Sequence, residues 1–156
     1  MTNLKTMFGA LAVATLLAAA PFAAANLGAT DASDSDDPNF RQGSKALEVQ
    51  DWGTAIDLLG KAAAAEPENA DIHNLLGYAN RKSGRLDKAF EHYSQALKLN
   101  PRHRHAHEYI GEAYLMAGDL TMAQKHLAEL QRLCSPIPCE ELRELRRAID
   151  EYQKNQ

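Results

Sequence analysis

Residues 70 to 103 read ADIHNLLGYANRKSGRLDKAFEHYSQALKLNPRH, and this stretch decides the fold. Ile72, Leu75, Leu76 and Ala79 recur at intervals of three and four, the spacing of one apolar helical face. Ser83-Gly84 ends that helix, because glycine adopts a positive φ at little cost. A second helix starts near Leu86. Its apolar residues Ala89, Phe90, Tyr93, Ala96 and Leu97 keep the same period, and Asn100-Pro101 stops it, since proline disfavours helical geometry in the residue before it. Gly77, Ala89 and Ala96 are small where two helices must approach closely.

Sliding the chain by 34 residues extends this unit in both directions. Gly43, Gly77 and Gly111 coincide, as do Ala55, Ala89 and Ala123, and so do Trp52, Leu86 and Leu120. Leu59 and Tyr93 align with Leu127, Ala62 and Ala96 with Leu130, and Pro67 with Pro101. A fixed period of this length signals stacked supersecondary units, each unable to bury its apolar face alone.

The pattern resembles the tetratricopeptide repeats, whose helix-turn-helix unit carries L-G-x2-Y, then G-D, A, F or Y, A and P. Leu76-Gly77, Gly84, Ala89, Tyr93, Ala96 and Pro101 match in the second copy. Ile110-Gly111, Tyr114, Gly118-Asp119 and Ala123 match in the third. The first keeps Gly43, Asp51-Trp52, Ala55, Ala62 and Pro67, but Ala46 replaces the large aromatic and Gly53 interrupts the start of the second helix. The resemblance implies an all-α solenoid with repeats over about 36–69, 70–103 and 104–137. Beyond them, Leu142, Leu145, Ala148, Ile149 and Tyr152 form one helical stripe, so residues 138–156 are expected to be the capping helix that covers the last apolar face.

Composition agrees. Of 156 residues 45% are hydrophobic and 6% aromatic, with nine glycines and six prolines, too few turns and rings for a sandwich or barrel. The net charge is −4 and the basic residues form no block, which argues against nucleic acid as a partner. Residues 1–25 have the parts of a secretory signal, with Lys5, an uncharged Ala/Leu-rich run from Met7 and an A-x-A site ending at Ala25. The expected mature protein is periplasmic or secreted, with no membrane contact after cleavage; the alternative is a retained membrane anchor, since Met7 to Ala25 is 19 residues without a charge, against which Pro21 and the weak hydrophobicity of alanine argue. Residues 26–37 hold Asp31, Asp34, Asp36 and Asp37 and read as a disordered acidic leader.

In an exported chain Cys134 and Cys139 are expected to form a disulfide that fastens the cap to the third repeat. The two prolines between them suit a staple better than a redox centre. His103, His105 and His107 form H-x-H-x-H, and His103 and His107 fall on one face if the helix begins that early, an i, i+4 pair of the kind that can bind zinc, copper or nickel. The competing reading gives His107 a packing role shared with His73, one period earlier. No nucleophile elbow, phosphate-cradling loop or H-E-x-x-H occurs, so neither an enzyme nor a cofactor is implied.

In the tetratricopeptide family the first helix of each repeat lines a concave groove. The resemblance places Phe40, Ser44 and Leu47 there from the first copy, and Asp71, Asn74, Tyr78, Arg81 and Lys82 from the second. His105, Glu108, Glu112, Leu115 and Met116 follow from the third. Asn74 and Tyr78 beside the Arg81-Lys82 pair would suit a peptide with an acidic side chain or terminus. Some relatives hold a terminal carboxylate with Lys, Asn and Arg from three successive first helices. Asn74, Arg81 and Lys82 are the candidates here, while Phe40, Ser44 and Glu108 depart from the set. The function expected is a non-catalytic protein- or peptide-binding scaffold, with metal handling by the histidines as the alternative.

Overall fold

A computed structural model describes residues 35–156. The signal sequence and most of the leader lie outside the described residues. Among those described the chain forms seven α-helices: α1 (Pro38–Glu48), α2 (Trp52–Ala65), α3 (Ala70–Lys82), α4 (Leu86–Leu99), α5 (Arg104–Met116), α6 (Leu120–Leu133) and α7 (Glu140–Lys154). Most starts are fixed by a side chain that accepts from free amides of the first turn. Asp37 accepts from Asn39 and Phe40, Asp51 from Thr54, Asn69 from Asp71 and Ile72, and Asp119 from Met122.

Consecutive helices pair as hairpins. In addition α1 touches α3 and α3 touches α5, whereas α2, α4 and α6 do not touch one another. The first helices of the repeats therefore line the inside of the curve. Ala55, Ala62, Ala79, Ala89, Ala96, Ala113 and Ala123 are fully buried, which lets the backbones approach. The three glycines of the repeat sit where a side chain from another helix crosses. A Cβ on Gly43 would lie 2.8 Å from Leu59 Cγ, on Gly77 2.5 Å from Tyr93 Cδ1, and on Gly111 2.7 Å from Leu145 Cδ2. The filler for the third slot thus comes from the cap. Leu142, Leu145 and Ile149 of α7 are buried with Leu115, Leu130 and Cys134, and the Cys134–Cys139 disulfide spans the turn into α7.

Two readings of the sequence change. Gly53 does not interrupt α2, which runs from Trp52 with Gly53 in its first turn, where Asp51 caps Thr54 and glycine leaves few helical contacts to lose. Residues 35–37, assigned by composition to the disordered leader, open the first repeat instead. Ser35 Oγ donates to Glu66 Oε1 at 2.6 Å and Asp37 caps α1. Charge density was the wrong guide there, because an aspartate before Pro38 at the first helical position is a helix start. No helix among the described residues is long and apolar enough to cross a membrane.

Candidate functional site

The inner face between α3 and α5 carries most of the polar residues singled out in the sequence. Its α3 stripe consists of Asp71, Asn74, Tyr78 and Arg81, each three or four residues from the next, so all four lie on one side of the helix. Three of them reach α5 or its cap. Asp71 Oδ1 lies 3.0 Å from Nε2 of His103, the residue preceding α5. The Tyr78 ring rests on Tyr109 with centroids 5.1 Å apart, and Arg81 Nη1 meets Glu112 Oε2 at 2.7 Å. Asn74, inside this run, is only 5% exposed, and its Oδ1 has no hydrogen-bond partner.

Arg81 is not the open groove cation that the sequence implied. It is 6% exposed, donates through Nε to the Tyr93 hydroxyl at 3.3 Å, and lies 5.5 Å from the ring centroids of both Tyr78 and Tyr109. A guanidinium near two rings and paired to a carboxylate joins three helices. Lys82 is exposed, with its ammonium 5.4 Å above the Tyr78 ring. Sequence reasoning missed both partners of Arg81, Tyr93 because it read simply as an apolar-face residue and Tyr109 because no motif singled it out.

Acids crowd the α5 side. Glu108 is 8% exposed, and burial, followed by the fields of Glu112, Glu141 and Glu144, pushes its carboxyl up to about 8 despite Arg81. Glu141, at the start of α7, is 3% exposed, with Oε1 3.6 Å from Arg104 Nε and 3.7 Å from His105 Nδ1. Burial leads in lowering the His105 imidazole, and Glu141 opposes it. Glu144 bonds Arg147. The α7 carboxylates were invisible to the repeat register, which ends before the cap. Of the first-repeat residues, Phe40 packs on the core, Ser44 Oγ donates to the Phe40 carbonyl and Leu47 is buried.

The histidines do not assemble as the i, i+4 reading supposed. His103 Nδ1 accepts from Ala106 N, capping α5, while its Nε2 is at ion-pair distance from Asp71 but is not aligned as a hydrogen bond. His107 is engaged at both nitrogens, with Nε2 3.1 Å from the Pro101 carbonyl and Nδ1 3.0 Å from His126 Nδ1. A carbonyl only accepts, so the His107 proton is on Nε2 and His126 donates from Nδ1. This leaves neither ring of the His103–His107 pair with a lone pair for a shared metal. His73 repeats the arrangement one period earlier, with Nε2 3.0 Å from the Pro67 carbonyl and Nδ1 3.4 Å from His92 Nδ1. The signal was present in the sequence, since His92 and His126 are also one period apart.

The sequence model of the tetratricopeptide repeat matches residues 70–103. The Arabidopsis thaliana TPR repeat-containing thioredoxin TTL4 is 28% identical over 114 residues, 67% of this chain and 17% of that protein. The chain therefore spans about a sixth of that relative's length. A single-site mutant of MamA, of known structure, is 31% identical with a TM-score of 0.59, covering 67% of this chain and 76% of that one. The first TPR of Spaghetti (RPAP3), bound to the HSP90 peptide SRMEEVD, superposes with a TM-score of 0.65 at 23% identity, over 74% of this chain and 90% of that one. The repeated glycine slots, the paired helices and these likenesses agree, and the chain belongs to the tetratricopeptide repeat family.

Proposed function

We propose that this protein is a non-catalytic scaffold of the bacterial periplasm or cell envelope that binds a protein or peptide partner along the inner face of its solenoid. The observation that carries the reading is the α3–α5 stripe, where buried polar groups, among them an amide oxygen with no partner, line the inside of the curve. A polar group is left unsatisfied at a cost unless something supplies the missing bond. A superposable tetratricopeptide structure that holds a peptide supports the same use of the fold. Export is supported by residues 1–25 and by a disulfide of the kind that persists in oxidising compartments.

Placing a photo-crosslinking amino acid at Lys82, exposed beside the groove, or at Ser94, exposed on α4, tests the groove in the cell. Crosslinking at Lys82 to a discrete partner, absent at Ser94, is the expected outcome. The reverse pattern would move binding to the outer face and overturn the proposal. Fractionation of the same cells tests export, with a mature N-terminus near Asn26 expected in the envelope fraction.

A further inference from the structure

The polar groups of the inner face are nearly all spoken for. Glu112 has Arg81, Glu141 has Arg104 and His105 nearby, Glu144 has Arg147, and Asp71 has His103. Glu108 differs. It is among the most buried of these acids, yet no cation among the described residues lies within ion-pair distance of it. The Asn74 Oδ1 is a second acceptor with no partner, 34 residues earlier and so at the same position of the preceding repeat.

These two buried groups lie on α3 and α5, which touch each other. Asn74 lies between Asp71 and the Tyr78–Arg81 end of the stripe, and those neighbours reach His103, Tyr109 and Glu112. Glu108 precedes Glu112 by one helical turn, and the Tyr78 hydroxyl feels the charge of both carboxyls, so Glu108 lies opposite the Asn74–Tyr78 turn. We propose that these two groups together take a cationic side chain, a lysine ammonium or an arginine guanidinium presented by the partner, with Glu108 as its counter-ion and Asn74 Oδ1 as a second acceptor. The inference rests on the inner face being the binding groove, and it reverses the charge that the sequence assigned to the ligand. Arg81 already spends Nη1 on Glu112 and Nε on Tyr93, whereas Glu108 gains a partner that it lacks.

Charge complementarity decides between the two ligand classes. An ion pair at an exposed site gains little, while a buried carboxylate left alone gains most from a cation. Only the ionised carboxylate pairs with the cation, so binding expels the Glu108 proton. The groups facing it are Glu112 on its own helix, Tyr78 and Arg81 from α3, and Glu141 and Glu144 from α7. Affinity should therefore rise by up to about tenfold per pH unit below the Glu108 value, and level off above it.

Two blocked pentapeptides, one alternating lysine with glycine and the other glutamate with glycine, provide the test against the whole mature protein. Amide chemical-shift mapping at pH 8.5 locates each peptide and gives its affinity. The lysine peptide should shift α3 and α5 amides around Asn74 and Glu108. The isosteric Glu108→Gln should weaken it at least roughly fivefold, and Asp150→Asn, an equal charge change at an exposed position of α7, should not. Preference for the glutamate peptide at the same amides would overturn the cation inference and leave the groove standing. Shifts confined to α4 and α6 would overturn the groove itself. Equal losses in Glu108→Gln and Asp150→Asn, or no binding of the lysine peptide, would also overturn the cation inference.

Discussion

Glu108 and His126 are titrating groups whose burial acts on stability in opposite directions. Burial, then Glu112, Glu141 and Glu144, raises the Glu108 carboxyl to about 8 from an ordinary 4.5. Folding therefore takes up a proton between those limits, and stability falls as the pH climbs through them. Burial, then His107, lowers the His126 imidazole to about 4 from 6.5, so its contribution is present above 6.5 and lost as the pH falls towards 4. The two oppose each other in the acid range, and from 6.5 to 8 the Glu108 cost acts alone of the pair. Thermal unfolding between pH 6.5 and 8 should show the melting temperature falling in the parent and staying nearly level in Glu108→Gln. At pH 8 the variant should be more stable by roughly 2 to 4 kcal/mol, after allowance for partial solvent screening. A parent whose stability is flat or rising over that range would refute this account of the site.

Each hairpin turn needs one residue in the left-handed region, and the repeat places it at 50, 84 and 118. Gly84 and Gly118 meet the need with φ of 79° and 81°, while Gln50 is held at 59°. An L side chain there costs roughly 1 to 2 kcal/mol, part of which glycine regains at the expense of a freer unfolded chain. Gln50 is exposed, and the bond it makes in the turn, from its backbone N–H to the Leu47 carbonyl at 3.0 Å, is one that glycine keeps. Gln50→Gly should therefore stabilise by about 0.5 to 1 kcal/mol in chemical denaturation, and a neutral or destabilising result would mean that the first turn is not built as its repeats are. The elements themselves were legible because period, glycine position and proline stops all agreed. What the sequence concealed were partners that cross between elements. Arg81 reads as a cation ending α3 until Tyr93 and Glu112 fold against it, and Leu145 belongs to no repeat although it fills a repeat's slot.

At the scale of the whole molecule the stack is a chain of nearest neighbours, so a local loss should spread a limited distance. The fully buried Leu145 lies against Gly111 in the place that Leu59 and Tyr93 take within their own repeats, which makes α7 part of the third repeat's core rather than a cover over it. The Cys134–Cys139 bond joins α6 to α7, while the three atoms nearest that slot all belong to Leu145. Leu145→Ala empties it, and truncating a buried leucine costs about 2 to 5 kcal/mol. Because α7 contacts α5 and α6 but none of the first four helices, the loss should fall unevenly. Amide hydrogen exchange should show protection reduced most in α5, α6 and α7, less in α3 and α4, and least in α1 and α2, with the disulfide intact throughout. If protection fell uniformly from α1 to α7, the molecule would unfold as one cooperative unit and the nearest-neighbour description would fail. A gradient would locate the cap's work in the third repeat, next to the Glu108 and Glu141 carboxyls, so the same variant should also loosen the inner face where α5 meets α7.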